Sequence, residues 1–164
     1  MRIVIITQND PFFLAENVNY LVKILPKHSE IVACFVGSAS PFGKKDDFLK
    51  KVIKTYNVFG LKFFIYYSTK FILSRFQNSK KIENVLKEKK IDRILLDKHI
   101  NHRESVEIIK NYNPDLLISI LGNQIFKESI INLAPKGCLN LHTALLPKYR
   151  GLMPTFWVMK NDEE

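Results

Sequence analysis

The stretch GCLNLHTALLPKYRG, residues 137–151, begins as a short apolar strand and ends in a polar loop. Alternate side chains of a strand share a face, so Leu139 and Leu141 are predicted to point into the core. Asn140 and His142 then project together on the opposite face, about 6.6 Å apart along the strand. Buried parallel strands usually consist of Val, Ile and Leu, and an amide and an imidazole within one need partners. The stretch therefore predicts a polar site at the carboxyl end of a strand.

Outward from this strand, short apolar runs alternate with segments of helical spacing. The predicted strands are RIVIIT (2–7), EIVACFVG (30–37), IDRILLD (91–97), PDLLISIL (114–121) and GCLNLH (137–142). The predicted helices cover residues 11–25, 43–56, 61–76, 80–90, 102–112 and 127–134. This alternation predicts an α/β, Rossmann-like fold with a mostly parallel sheet and helices on both faces. Neither a Gly-x-Gly-x-x-Gly loop nor a Walker loop occurs, so the phosphate cradles of dinucleotides and nucleoside triphosphates are not expected.

Composition is that of one domain, with 164 residues, 46% of them apolar, and a net charge of +9. Such a charge suits nucleic acid, a membrane surface or an anionic small substrate, although many of the lysines fall on predicted helix exteriors. Cys34 and Cys138 lie inside apolar runs and are expected to be buried thiols of a reduced compartment. The N-terminus has no signal-peptide pattern, so we expect a cytoplasmic protein.

One segment, VFGLKFFIYYSTKFILSRF (58–76), is unusually apolar. Lys62, Lys70 and Arg75 interrupt it, so it is not expected to span a membrane. A helix packed on the sheet is the main prediction. An amphipathic helix on a membrane surface is the alternative, because aromatic and basic residues are interleaved here.

The chemistry of the last strand suits the attack of an amine on a carbonyl carbon. A titratable imidazole, His142, can remove the ammonium proton, and the amide of Asn140 can donate to the developing oxyanion. The alternative is that Asn140 caps a neighbouring backbone and His142 is a satisfied core histidine. His99 and His102 have no evident third ligand, so we predict no metal site and expect Asn101 or His102 to cap a helix.

The loop resembles the signature of 10-formyltetrahydrofolate-dependent formyltransferases, in which Asn-x-His-x-x-Leu-Leu-Pro leads into a Tyr-Arg-Gly-like turn. Here the motif runs from Asn140 to Gly151, and LMPTFW follows it. The upstream PDLLISILGNQIF and KESIINLAPKGCLN are also similar to the family's penultimate strand, loop and helix. The resemblance is specific across residues 113–160 and rests on strand order across residues 1–112.

The resemblance implies a role for each matched position. His142 would be the general base, and Asn140 would donate to the formyl oxygen of 10-formyltetrahydrofolate, the formyl donor. The set implied to hold its pterin consists of loop residues and an apolar wall: Gly122, Asn123, Gln124, Ile125, Leu145, Leu146 and Pro147.

Members of the family also use an aspartate, a few dozen residues beyond the histidine, to orient it. Here 22 residues follow His142, ending in KNDEE. We therefore expect residues 1–164 to be a formyltransferase N-terminal domain that is incomplete at its C-terminus. By itself it would be inactive, with an imidazole of unset tautomer. A non-catalytic, folate-binding remnant is the alternative.

The amine is expected to belong to an amino-sugar nucleotide, a small-molecule substrate. Trp157 follows Pro154 by three residues, as in sugar N-formyltransferases, and the first strand ends in TQNDPFF rather than the Gly-Thr-Pro of the transfer-RNA branch. Methionyl-tRNA is the alternative substrate, although no aromatic and basic motif supports nucleic acid directly. The predicted substrate-binding residues are Gln8, Asn9, Lys148, Tyr149, Arg150 and Trp157. Alternatively, the two cations pin the loop and the two aromatic rings belong to the core.

Overall fold

A five-stranded parallel sheet forms the centre of the molecule. The computed structural model describes residues 1–37, 47–76, 81–122, 124–150 and 154–163. The strands are β1 (Arg2–Gln8), β2 (Glu30–Gly37), β3 (Asp92–Leu95), β4 (Leu116–Ile120) and β5 (Cys138–Leu141). Their order is β3-β2-β1-β4-β5, and every neighbouring pair is parallel. The predicted parallel α/β sheet is confirmed.

The described helices are α1 (Leu14–Ile24), α2 (Phe48–Phe76), α3 (Ile82–Glu88), α4 (Arg103–Lys110), α5 (Glu128–Ile131) and α6 (Pro154–Lys160). Four of them, α1, α3, α4 and α5, cover the two faces of the sheet, as predicted. One apolar cluster joins β1 and β2 to α1 and α3. A second cluster joins the opposite face to α4 and α5. Because β1 is covered on both sides, its side chains Ile3, Val4 and Ile5 are completely buried.

The strand order reverses beside β1, which creates the crevice that α/β sheets use for ligands. From β1 the chain proceeds outward to β2 and β3, then crosses to the other side for β4 and β5. Asp10 follows β1, and its Oδ1 accepts hydrogen bonds from the backbone N–H groups of Phe12 and Phe13, at 3.0 and 2.6 Å. Asp10 therefore helps to begin α1 directly after the strand.

Leu139 and Leu141 do not point into the core, and that prediction was wrong. They are 58% and 55% exposed. Among the described strands β5 lies at the edge of the sheet, paired with β4 alone. The apolar cluster on the leucine face is built on β1 and β2, so no described helix covers β5 on that side.

The two predicted helices at 43–56 and 61–76 are joined in α2, with non-helical dihedral angles at Gly60 (φ 76°, ψ 175°). The prediction that this segment packs on the sheet was wrong, because most of its large apolar side chains are exposed. Its described ring contacts with the body include Phe12, whose ring centroid lies 5.2 Å from that of Tyr67 and 6.5 Å from that of Phe71. No helix within the described ranges is long and apolar enough to cross a membrane.

The two thiols differ in burial, and they should differ in reactivity. Cys34 is fully buried, and burial raises its pKa to about 12. Cys138 is only partly buried, and burial raises its pKa less far. At about pH 8 we expect an alkylating reagent to modify Cys138 first and Cys34 only after unfolding, because the thiolate is the nucleophile. Peptide mass spectrometry over time measures both sites, and equal rates in the folded protein would contradict this expectation.

Candidate active site

The loop after β4 begins with two unusual backbone features. Leu121 has a positive φ of 55°, a conformation that is strained for a leucine. At Gly122, a Cβ atom would lie 2.6 Å from Oγ of the buried Ser119. The residue at position 122 must therefore lack a side chain for the loop to lie this close to the strand.

Two amide side chains, those of Gln124 and Asn101, hold the later part of this loop in place. Oε1 of Gln124 accepts a hydrogen bond from the N–H of Ile100 at 2.6 Å. Nδ2 of Asn101 donates to the carbonyl of Ile125 at 2.7 Å, and its Oδ1 accepts from the N–H of Lys127 at 2.8 Å. The side chain of Ile125 remains exposed. The loop backbone is thus held in place from the β3–α4 connection, while an apolar side chain stands free.

The role of Asn101 was missed from the sequence, which offered it as a helix cap. The cap of α4 is His102, whose ring Nδ1 accepts from the N–H of Glu104 at 3.3 Å. A lone Asn in a turn carries no signal that it will bind a loop some two dozen residues later. Asn123, also predicted to contact the pterin, lies outside the described residues, as does Gly151.

Asn140 belongs to the face of β5 that carries the buried polar residue of β4. The register pairs Asn140 with Ser119 and Cys138 with Leu117, and Cys138 packs against the apolar cluster of that face. Strand alternation places His142, one residue beyond the strand, on the same side. The joint placement of these two side chains in one cleft stays a prediction, supported by this register.

His142 is oriented by the backbone of its own loop. Its Nε2 lies 2.6 Å from the carbonyl oxygen of Tyr149. A carbonyl only accepts, so Nε2 carries the proton and the neutral ring leaves Nδ1 as the free base. The expectation of an unset tautomer was wrong, because a backbone carbonyl supplies the orienting acceptor here.

The apolar wall predicted for the pterin lies in the same loop, shortly after His142. Leu145, Leu146 and Pro147 are exposed, and the Leu146–Pro147 peptide is cis. Tyr149 is buried, and its hydroxyl accepts a hydrogen bond from Nδ2 of Asn161 at 2.9 Å. This burial favours the core alternative for Tyr149, which then acts as the anchor of the loop.

The predicted cations and the tryptophan lie at the surface. Lys148 forms an ion pair with Glu163, which raises the pKa of the lysine and lowers that of the carboxyl group. This pairing favours the alternative that Lys148 pins the loop. Arg150 is exposed, and Trp157 stacks edge-on against Phe156 at 5.3 Å between ring centroids.

The residues predicted after β1 lie near the loop that follows β4. Gln8 is half-buried, and the N–H of Asn9 donates to the carbonyl of Gly37 at 3.1 Å. A Cβ added to Gly37 would lie 3.6 Å from Nε2 of Gln124. The carboxyl ends of β1 and β2 therefore meet the loop after β4, whereas the substrate roles of Gln8 and Asn9 stay predictions.

Gly122→Ala is expected to weaken folate binding, because the new Cβ atom meets Ser119 Oγ and overpacking costs about 1–3 kcal/mol. The double variant Ser119→Ala/Gly122→Ala should recover most of the affinity, since the next atom, Ser119 Cβ, is 4.0 Å away. Calorimetric titration of a reduced folate measures both. Native affinity in the single variant would show that the close approach is unimportant.

Comparison with known proteins assigns the family. Residues 1–164 match the family model described as formyl transferase, so the chain belongs to the formyl transferase family. Its enzymes transfer formyl groups and use 10-formyltetrahydrofolate as donor. The predicted family and donor are thereby confirmed at this level.

The relatives with assigned functions are similar in part of their length. The methionyl-tRNA formyltransferase of Borreliella burgdorferi (strain ZS7) is 35% identical over 107 residues, or 64% of this chain and 32% of the relative. That of Clostridium tetani is 42% identical over 62 residues, or 38% of this chain and 20% of the relative. The chain thus spans a fifth to a third of these relatives. They do not support the predicted likeness to sugar-nucleotide enzymes.

Solved structures support the fold. Phosphoribosylglycinamide formyltransferase from Anaplasma phagocytophilum superposes with a TM-score of 0.61 at 13% identity, covering 98% of this chain and 58% of that one. The enzyme of the same name from Bacillus halodurans gives 0.59 at 14% identity, covering 99% and 66%. At such identities the likeness concerns the arrangement of the strands and helices.

Proposed function

We propose that this protein transfers a formyl group from 10-formyltetrahydrofolate to a primary amine. The observation that carries this proposal is the imidazole of His142, held by the carbonyl of Tyr149 at the end of the strand that bears Asn140. A base of defined tautomer and an amide donor are the two groups that the reaction requires.

The proposed steps follow from these two groups. Nδ1 of His142 takes a proton from the substrate ammonium, and the free amine attacks the formyl carbon. The Nδ2–H of Asn140 stabilises the negative charge that develops on the formyl oxygen. As the tetrahedral intermediate collapses, the bond from carbon to N10 of the folate breaks. N10 receives the proton that the imidazole had taken, so the base is regenerated. The attacking nitrogen releases its second proton to solvent, so the product is a neutral formamide.

The proposed pterin site lies between the loop after β4 and the loop after β5. The side chains of Asn101 and Gln124 hold the loop at Gln124, Ile125 and Lys127, and its backbone can offer peptide groups to the polar edge of a pterin. Leu145, Leu146 and Ile125 offer exposed apolar surface for its ring faces. An aromatic, hydrogen-bonding ligand matches this combination of fixed polar groups and apolar wall.

For the amine we propose an amino-sugar nucleotide. The support is the Pro154 and Trp157 pair at the start of α6, with the Trp157 ring 44% exposed, and the exposed guanidinium of Arg150 nearby in sequence. A sugar ring can stack on the indole, and a diphosphate can pair with the guanidinium. Methionyl-tRNA is the second candidate, favoured by the names of the relatives and by the net charge of +9.

The test is an assay of the full-length protein with 10-formyltetrahydrofolate and either nucleotide-linked amino sugars or methionyl-tRNA. Formylation of an amino sugar is the expected result. Formylation of the tRNA alone would establish the second candidate. Folate binding by calorimetry without transfer to either acceptor would indicate a non-catalytic folate-binding protein instead.

A further inference from the structure

The first half of α2 has a separated apolar and basic face. At 100° per residue, its large apolar residues fall on one arc of about 140°. The exposed members of this arc are Phe48, Leu49, Ile53, Tyr56 and Phe59. Lys50, Lys54 and Asn57 are exposed on the remaining side. An isolated surface helix of a globular protein normally turns such an arc inward. Here Tyr56 and Phe59 contact Phe64 and Phe63 of the second half of α2, at 5.8 and 4.6 Å between ring centroids, and the arc remains exposed within the described residues.

The second half of α2, beyond Gly60, turns one face to the body and another to solvent. Tyr67 and Phe71 contact Phe12, and Nζ of Lys70 lies 5.2 Å from the ring centroid of Phe13. The opposite side carries a stripe that is exposed and apolar: Leu61, Ile65, Ile72 and Phe76. Both halves of α2, on either side of Gly60, therefore carry exposed apolar side chains.

The charge of α2 is of one sign. Residues 48–76 contain five Lys, one Arg and no Asp or Glu, against a net charge of +9 for the whole chain. The acidic residues nearest its start, at 46 and 47, precede the helix. Two-thirds of the excess positive charge is thus carried by the segment with the most exposed aromatic and aliphatic side chains.

From this combination we propose that α2 docks the protein on the surface of an anionic lipid bilayer. Lysines attract an acidic headgroup layer, and Phe, Tyr, Leu and Ile side chains enter the boundary between headgroups and acyl chains. No described helix can cross the bilayer, so the helix lies along it. This inference is independent of the proposed amine substrate.

Other occupants fit α2 less well. A second copy of the chain would bring two acid-free, lysine-bearing helices together, and like charges oppose that contact. An RNA backbone would neutralise the lysines but leave the aliphatic residues, such as Ile53 and Leu61, in water. A bilayer surface satisfies both the charge and the apolar area.

The test is flotation of the full-length protein with vesicles of phosphatidylcholine alone or with added phosphatidylglycerol. We expect binding to the anionic vesicles that weakens as salt is raised. Phe48→Ala/Ile53→Ala should lower the partition coefficient about tenfold or more, since two exposed side chains no longer enter the interface. Leu95→Ala/Ile131→Ala removes comparable exposed apolar groups outside α2 and should have no effect.

A second pair of variants tests the charge separately. Lys50→Gln/Lys54→Gln should weaken binding and flatten its salt dependence, whereas Lys110→Gln/Lys136→Gln, also exposed, should not. Failure to float with anionic vesicles would overturn the proposal. So would lipid-independent self-association in sedimentation velocity that Phe48→Ala/Ile53→Ala abolishes. Binding to tRNA that depends on Lys50 and Lys54, without vesicle binding, would identify a nucleic-acid surface instead.

Discussion

His142→Ala is expected to reduce the turnover of formyl transfer by about 10²- to 10⁴-fold in the full-length protein, the range typical of a general base. The ring is held by the carbonyl of Tyr149, so in the proposed mechanism its Nδ1 is the group that receives the ammonium proton. Alanine removes this base without disturbing the strand, because His142 lies just after the end of β5. Steady-state kinetics with a saturating amine measure the loss as a fall in kcat.

The matched control is His28→Ala, which removes an exposed imidazole far along the chain from this loop. It should retain native turnover. Raising the pH of the assay should partly restore the turnover of the His142→Ala variant, because more of the substrate amine is then already deprotonated. Native turnover in His142→Ala would mean that another group takes the proton, and the proposed mechanism would be abandoned.

Asn140→Ala should cost about 10²- to 10³-fold in turnover, the usual effect of losing one oxyanion donor. Asn140→Asp should be no better, because a carboxylate repels the developing charge where the amide donates to it. Asn111→Ala, an exposed residue at the end of α4, is the control. The same assay distinguishes all three variants.

The double variant His142→Ala/Asn140→Ala tests whether the two groups act on one transition state. Its loss should be much smaller than the product of the two single losses, because residues that act as a unit are not additive. Strictly multiplicative losses would show that the two residues act in separate steps.

The strands were predictable because a buried parallel strand is a short apolar run. The predicted bounds of β1 and β2 agree closely with the observed Arg2–Gln8 and Glu30–Gly37. What could not be predicted is which elements lie beside each other. The alternation in β5 indicated which residues share a face, but not that Leu139 and Leu141 would lack a helix above them. For the same reason, the apolar character of α2 indicated burial where the structure shows exposure.

At the candidate site, the motif located Asn140, His142 and the loops, but not the contacts that position them. The hydrogen bond from His142 to the Tyr149 carbonyl depends on how the chain returns between these two residues. The two hydrogen bonds from the Asn101 side chain to Ile125 and Lys127 depend on the distance between two loops that are remote in sequence. Neither contact can be read from the periodicity or the composition of the sequence, because each is a hydrogen bond between one side chain and the backbone of another segment.

The central position of β1 also governs how the chain can fold during its synthesis. β1 pairs early with β2, but its other partner, β4, follows the end of β2 by ~80 residues. At about 5–20 residues per second the ribosome needs roughly 4 to 16 s to produce that stretch. Throughout this interval one edge of the central strand is open, while the aromatic α2 segment emerges. The nascent chain therefore passes through a defined period in which an unpaired strand edge makes it prone to aggregation, and this period ends when β4 is released.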